Sequence, residues 1–529
     1  MAEFALLTTC VQIYVLFVNV FHFAYGENDV IETQLGNITG NIHDVTLFYE
    51  NGTFYVTKYA EYLGIPYAEP PVGDRRFRRP EPKTAWTGQT HNGTYARPSC
   101  FYRAGNNSGS LDVVDDSMSE DCLTLDIYRP HNTDGTSGLL PVIIFIHSTP
   151  GSARGFVADV LCAEANAFVV VINYRQGLLG YFSLSENDDG TNVGLWDQHM
   201  AISWVKDHIG NFGGDTSRIT VVGQSEGASH AIMQAMYPPN KPHIKRVISL
   251  SGTPIPTEGG RPFVRGSTSA EFAEASGCKF DQPKDVYTCL REKSLNELSR
   301  TISAPGYSFK FGPRVDGVFI KADPQDVLSA SARSRFENEQ KAFADVDLLL
   351  GMNDMEGGMH VALLWASLLN KAVDTFNVNV SEFESVVVPT SLELIFGTKV
   401  DMSVANTVSF QYSAIKGAQT LADIRQSVVD LSTDIDVAAP LSRTATLHAN
   451  FQQGKTYMFQ FSEPLNMNNP LTPTWLTGAN RLDDIYFLFG FSTRALSRLR
   501  YAQGFQPTSE QRVVAKRFIK AIANFVANG

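Results

Sequence analysis

Cysteine is scarce in this sequence, with six residues in 529, and no group of cysteines and histidines has the spacing of a metal site. Basic clusters are also missing, and a formal net charge of −12 disfavours nucleic acids and anionic membrane surfaces as partners. No internal repeat and no low-complexity run is present, so neither a repeat protein nor a disordered chain is expected. The hydrophobic content of 43% instead predicts a globular protein with a large core. We expect no metal and no cofactor.

Acidic and basic residues are absent from residues 4–26. Ala24 and Gly26 place small side chains at the −3 and −1 positions before Glu27, so we predict that residues 1–26 are a cleaved signal peptide. The start of the chain lacks the usual positive residue, and an uncleaved membrane anchor is the alternative. No membrane span is evident after the leader. Residues 27–529 are then expected to be secreted or held at the extracellular cell surface, with a net charge of −11 because Glu3 is lost.

Five N-x-S/T sequons agree with export, because N-glycans are added to such sites in secreted proteins. Single sequons occur by chance, so the signal lies in their agreement with the leader. The candidate glycosylation sites are Asn37, Asn51, Asn92, Asn106 and Asn379.

A strand, a sharp turn and a helix are predicted for residues 218–230, where a β-branched run reaches Gly223-Gln-Ser225-Glu-Gly227. The G-x-S-x-G pattern suits a nucleophile elbow, since small residues two before and two after the serine allow the backbone to turn tightly. The pattern alone fits a glycine-rich loop with an incidental serine equally well.

Short apolar, β-branched runs alternate with helical stretches such as 196–209, which predicts one large α/β domain with a mostly parallel sheet covered on both faces. In such sheets the site lies at the carboxyl ends of the strands. The predicted strands are 142–146, 168–173, 219–222, 247–250, 346–350 and 457–461.

Longer motifs resemble the type-B carboxylesterase and cholinesterase family of α/β-hydrolases, nearly throughout residues 27–529. The resemblance implies an α/β-hydrolase fold with a large, mostly parallel central sheet flanked by helices. Family chains continue beyond the helix that residues 511–528 resemble, so we expect a truncated carboxyl end; the family also implies a homodimer through carboxyl-terminal helices. The motifs are Glu61-Tyr-Leu-Gly-Ile-Pro-Tyr-Ala-Glu-Pro-Pro-Val-Gly73, Arg76-Phe77, Trp86-Thr-Gly88, Ser119-Glu-Asp-Cys-Leu-Thr-Leu-Asp-Ile-Tyr128 and Asn211-Phe-Gly-Gly-Asp215.

Five cysteines remain after Cys10 leaves with the leader. Cys100 with Cys122 and Cys278 with Cys289 have the short spacings of small disulfide loops, and these pairs match two loops of the resembled family. Cys162 is then left over and is expected to be a buried thiol.

The resemblance transfers two catalytic positions but not the third. Ser225 stands at the nucleophile and Glu356 at the acidic residue, whereas Arg481 occupies the position of the base histidine. Arginine keeps its proton, so it cannot take one from a serine hydroxyl. We expect its guanidinium to pair with Glu356, with Glu226 as a second acceptor. The later histidines that could substitute as the base are His360 and His448.

The residues at the oxyanion-hole positions also differ from those of the family, and these differences also disfavour catalysis. Where the family has three glycines, this chain has Ser148-Thr149-Pro150, so the donor positions fall on Thr149 and Pro150, and Pro150 has no N–H to donate. His147 precedes the hole and is expected to be structural. Glu226 follows the nucleophile where the family has alanine, and it adds a carboxylate where negative charge would develop.

These departures predict a catalytically inactive protein similar to the extracellular adhesion members of the family, of the neuroligin, neurotactin and gliotactin kind. Its expected partner is an extracellular protein, or a small apolar or ester ligand in the retained gorge. The alternative is an active carboxylic ester hydrolase with a non-standard base.

Overall fold

A large twisted sheet runs through the computed structural model. The structure describes residues 27–102, 117–131, 138–148, 151–185, 188, 190–255, 268–307, 309–329, 334–414, 417, 420–467, 469–498, 502 and 504–529. The predicted leader, Asn106, Thr149 and Pro150 lie outside the described residues.

The strands are β1 Glu27–Thr33, β2 Gly36–Phe48, β3 Phe54–Pro66, β4 Thr90–Asn92, β5 Ser99–Cys100, β6 Met118–Ser119, β7 Thr124–Pro130, β8 Leu140–Ile146, β9 Phe168–Ile172, β10 Gly214–Gln224, β11 Arg246–Leu250, β12 Asp347–Asn353 and β13 Thr456–Phe461. All except β5 and β6 form one sheet in the order β1-β2-β3-β7-β9-β8-β10-β11-β12-β13, with β4 beside β2. The strands from β8 to β13 are parallel to one another, whereas β1, β2, β3 and β7 form an antiparallel edge that ends on β9.

The α-helices are α1 Asp159–Ala165, α2 Gly177–Tyr181, α3 Val193–Phe212, α4 Glu226–Met236, α5 Thr268–Ala275, α6 Pro283–Glu292, α7 Leu295–Ile302, α8 Pro324–Leu328, α9 Glu337–Ala344, α10 Gly358–His360, α11 Ala366–Leu368, α12 Val380–Glu382, α13 Val388–Phe396, α14 Met402–Ser409, α15 Leu421–Thr433, α16 Ala439–Ala449, α17 Asp483–Phe489, α18 Thr493–Arg498 and α19 Ser509–Asn528. Single 3₁₀ turns lie at Gly73–Arg75, Ala153–Gly155 and Pro238–Asn240, and π-helical turns at Val361–Trp365, Phe383–Val387, Phe410–Ala414 and Asp434–Ala438. No helix within the described residues is long and apolar enough to span a membrane.

Both faces of the central strands are buried, as the apolar runs predict, whereas the edge strand β13 is half-exposed. Along β8, Ile144 packs into a core with α3 and α4, and the next residue, Phe145, packs into a second core with α1, α17 and α19. A third core lies within the helical segment 358–449. The predicted α/β-hydrolase architecture is therefore confirmed.

Two of the family motifs contain regular structure that their residues alone do not indicate. The regular part of the segment 119–128 is β7, which is buried on both faces because Leu125 and Ile127 pack into the first core and Tyr128 packs into the second. The prolines of the segment 61–73 alone indicate an irregular surface segment, yet its first residues belong to β3, and Glu61 is buried in an ion pair with Arg494.

Both predicted disulfides, Cys100–Cys122 and Cys278–Cys289, are present, and Cys162 is unbonded and buried. The predicted pairing is therefore confirmed.

Candidate functional site

Ser225 lies in the turn between β10 and α4. Its backbone has φ 54° and ψ −120°, a conformation that residues other than glycine rarely adopt. The flanking glycines are required by close packing. A Cβ at Gly223 would lie 2.0 Å from the carbonyl oxygen of Gly227, and one at Gly227 would lie 2.1 Å from that of Ile146. The G-x-S-x-G pattern is therefore a true nucleophile elbow in its geometry.

Glu356 follows β12 and is fully buried. Its Oε1 accepts hydrogen bonds from the backbone N–H of Asn353 (2.8 Å), from Asn353 Nδ2 (3.0 Å) and from the Ser251 hydroxyl. Its Oε2 has no hydrogen bond among the described residues and lies 3.9 Å from Nε of Arg481. The carboxylate is held rigidly by one oxygen and faces Arg481 with the other.

Arg481 precedes α17, and its side chain is 16% exposed. Its Nη2 donates to Ser225 Oγ at 2.8 Å and to the Ser251 carbonyl at 3.4 Å, while Nη1 donates to Asp436. Burial disfavours the charged guanidinium, but the carboxylates of Asp436 and Glu356 outweigh it, so the pKa of Arg481 lies above its ordinary value. A permanent cation therefore contacts the serine hydroxyl.

The predicted pairing of Arg481 was only partly right. The guanidinium does face Glu356, but the carboxylate that it bonds directly is Asp436, neither Glu356 nor Glu226. Asp436 lies in the π-helical turn Asp434–Ala438 and has 39% of its side chain exposed. Burial raises the pKa of Asp436, but the charge of Arg481 and the hydrogen bond that it donates outweigh this effect and hold the pKa below its usual range.

His360 lies beside the same carboxylate, with Nε2 3.9 Å from Asp436 Oδ2. Burial lowers its pKa, Asp436 raises it and Arg481 lowers it further, so the net pKa lies below the ordinary value and the ring is neutral at pH 7. His448 is elsewhere: its Nδ1 lies 2.7 Å from the Thr456 hydroxyl and its Nε2 lies 3.2 Å from the Phe343 carbonyl. Of the two alternative bases, the structure brings only His360 to the site.

Glu226 is the first residue of α4, and its carboxylate lies 3.7 Å from His230 Nε2. Burial lowers the pKa of His230 to about 3, so this imidazole carries no charge that could neutralise the carboxylate. His147 is fully buried, stacks on Tyr174 with ring centroids 4.9 Å apart, and has its pKa lowered to about 4 by burial. These contacts agree with the structural role expected for His147.

A cavity of about 340 Å³ opens above Ser225, within the size range of small-molecule sites. Sequence reasoning did not find its walls, because most of them come from the helical segment 358–449. The lining residues are Ser225, Glu226, Ser229, Ser251, Gly252, Thr253, Ile255, His360, Leu364, Trp365, Ser391, Leu394, Ile395, Ser432, Ile435, Asp436, Pro440 and Arg481.

A second buried carboxylate lies behind the site. Asp484, three residues after Arg481, accepts a hydrogen bond from Asn353 Nδ2 at 3.1 Å. Burial raises the pKa of Asp484 to about 7, and the nearby charge of Glu356 adds to the effect. Asn353 therefore bridges the carboxyl groups of Glu356 and Asp484. In the sequence, the only signal for this role is that Asn353 stands three residues before Glu356.

Comparison with known proteins shows what the chain as a whole is similar to. Neuroligin-3 of Mus musculus is 30% identical over 485 residues, which are 81% of this chain and 54% of that protein. Human bile salt-activated lipase is 29% identical over 496 residues (88% of this chain, 59% of the lipase), and liver carboxylesterase B-1 of Rattus norvegicus is 27% identical over 524 residues (94% and 86%). The chain spans about half the length of the neuroligins that it matches. A model of the carboxylesterase family matches residues 27–529, and the protein therefore belongs to the carboxylesterase family.

Proposed function

We propose that this protein is a catalytically inactive member of its family that acts outside the cell, by recognising a protein partner or by binding a small ligand in the cavity. The observation that carries the proposal is the hydrogen bond from Arg481 Nη2 to Ser225 Oγ at 2.8 Å. The group beside the hydroxyl is a donor with a raised pKa, where ester hydrolysis needs an acceptor for the serine proton.

The size of the catalytic defect supports inactivity. Removing the base from a serine triad costs about 10⁶ in turnover, or roughly 8 kcal/mol of barrier. Glu226 would add to this cost, because a carboxylate beside a developing oxyanion destabilises the transition state.

Action outside the cell is supported by the two disulfides, since such bonds persist in oxidising compartments. Recognition of a partner is supported by the helices around the cavity. Of the 21 large apolar side chains that are exposed among the described residues, nine fall within residues 363–421, and such concentration favours an interaction surface. The similarity to neuroligins agrees with this class of function.

A second candidate is an active carboxylic ester hydrolase that uses His360 as its base. It is favoured by one observation: His360 is neutral, lines the cavity and lies beside a carboxylate, as a general base would. For this function Arg481 would have to leave the serine hydroxyl.

Hydrolysis of short aryl and choline esters by the purified protein separates the two candidates. An inactive protein hydrolyses them no faster than its Ser225→Ala variant. If the native protein hydrolyses the esters faster and this additional activity is lost in both Ser225→Ala and His360→Gln, the protein is an active esterase with His360 as its base and the proposal is wrong.

A further inference from the structure

The turn between β2 and β3 has a defined geometry. The Tyr49 N–H donates to the Thr53 carbonyl at 2.8 Å, and the Gly52 N–H donates to the Tyr49 carbonyl at 3.1 Å. Gly52 has φ 88°, in the left-handed region, which glycine adopts without strain. This is a three-residue hairpin loop that closes with a glycine bulge.

Asn51 lies at the exposed centre of this loop and begins the sequon Asn51-Gly-Thr. Its Oδ1 accepts hydrogen bonds from the Thr53 N–H at 3.1 Å and from the Thr53 hydroxyl at 2.8 Å. Both bonds use the oxygen of the amide. The nitrogen, to which an N-glycan is attached, takes part in neither.

Tyr49 precedes Asn51 by two residues, and 46% of its side chain is exposed. Its ring contacts Tyr55, at a centroid distance of 4.2 Å, and Lys516 Nζ, which lies 5.4 Å from the ring centroid. Phe54, on the other strand, is also exposed. An exposed, immobilised aromatic ring offers a π-face of negative character to the C–H groups of a sugar ring.

We propose that Asn51 carries an N-glycan whose first sugar stacks on Tyr49 and stabilises the hairpin. The tight turn brings the two side chains onto one short loop, so a sugar on Asn51 meets a ring that is already ordered. Because the ring is already immobilised, the contact costs no further side-chain entropy of the protein. It therefore adds to the stability of the hairpin.

The other described sequons lack this arrangement. Asn92 is the closest match, because its Oδ1 also accepts from the N–H and hydroxyl of Thr94, but the residue two before it is Thr90. Asn379 uses its Oδ1 to cap α12 at Glu382. Asn92 is therefore a matched control within the same chain.

The inference rests on export through a glycosylating pathway, which belongs to the proposed function. A failure of this inference must be distinguishable from a failure of the proposed export. The chain is therefore produced behind an established secretion leader in cells that add N-glycans, and its glycans are trimmed to a single N-acetylglucosamine. Glycopeptide mass spectrometry then measures occupancy at Asn51. Hydrogen exchange measures protection of residues 45–58 in the native chain and in Asn51→Gln, Tyr49→Phe, Tyr49→Ser and Asn92→Gln.

We expect Asn51 to be occupied, and its loss in Asn51→Gln to speed exchange in the hairpin roughly five-fold. Tyr49→Phe keeps the ring and should keep the protection, and Asn92→Gln should leave residues 45–58 unchanged. In a Tyr49→Ser background, Asn51→Gln should speed exchange clearly less than in the native chain, because only the two bonds to Thr53 are then lost. An unoccupied Asn51, or an effect of Asn51→Gln that is as large in Tyr49→Ser as in the native chain, overturns the proposal.

Discussion

At the scale of single residues, Arg481 contacts groups that an imidazole could not satisfy together. Its guanidinium bonds the Ser225 hydroxyl and Asp436 at once, and its Nε faces the unsatisfied oxygen of Glu356. Planar, multidentate donation of this kind is specific to arginine. The residue therefore serves as a clamp between the sheet and the helical segment 358–449.

Replacement of Arg481 by alanine should lower the free energy of unfolding by about 2–4 kcal/mol, because a buried and a half-buried carboxylate lose their counterion. Chemical denaturation measures the loss. In an Asp436→Asn background the same substitution should cost less, since one charge is already gone. Additive losses would show that no clamp exists.

Asp484 should make stability depend on pH. Its folded pKa of about 7 exceeds the ordinary value, so the folded protein binds a proton that the unfolded chain releases. The free energy of unfolding therefore falls as pH rises from about 4 to 7.

The Asp484→Asn variant mimics the protonated carboxyl group and keeps an oxygen for Asn353. We compare the free energy of unfolding of the variant with that of the native protein at each pH. The difference, variant minus native, should increase by about 2–4 kcal/mol when the pH is raised from 4.5 to 8. Urea denaturation at the two pH values tests this expectation, and parallel stability profiles would contradict it.

At the scale of elements, the elbow keeps its strained backbone although the chemistry that it serves in the family is proposed to be lost. Ser225→Gly should be more stable than Ser225→Ala by about 1–3 kcal/mol, since only glycine adopts φ 54° and ψ −120° without strain. Both variants lose the hydrogen bond from Arg481, so the difference in stability between them reports the backbone strain at position 225. Equal melting curves for the two variants would argue against strain at this turn.

The central strands of the parallel half could be predicted because each contains a short, continuous apolar run, which burial of both faces requires, and the apolar run 457–461 was enough to indicate the half-exposed edge strand β13. The antiparallel edge could not, because β1 and β2 lack such runs and their pairing depends on distant partners. Resemblance supplied Ser225, Glu356 and Arg481. Asp436 was missed because its contact with Arg481 joins positions 45 residues apart that no sequence pattern links.

At the scale of the whole molecule, two parts build one cavity. The carboxyl ends of the parallel strands supply Ser225 and the segment with Glu356, and the helical segment 358–449 supplies most of the walls. Arg481 lines this cavity without filling it. A scaffold of this kind can keep its fold and its pocket while its surface takes over the function.

Restoring catalysis should therefore require several changes together. Arg481→His alone should return little ester hydrolysis, because a proline at position 150 has no N–H to donate and Glu226 adds a carboxylate at the proposed oxyanion hole. Adding glycine at Ser148, Thr149 and Pro150 and alanine at Glu226 should raise turnover by more than the sum of the separate effects. Full rescue by Arg481→His alone would show that the oxyanion hole is intact.

The most direct test of inactivity is covalent labelling of the native protein with a fluorophosphonate probe, followed by mass spectrometry of the peptide that contains Ser225. A hydroxyl that is hydrogen-bonded by a guanidinium and has no base should stay unlabelled, as in the Ser225→Ala control. Stoichiometric labelling of Ser225 at the rate of an active serine esterase would contradict the account.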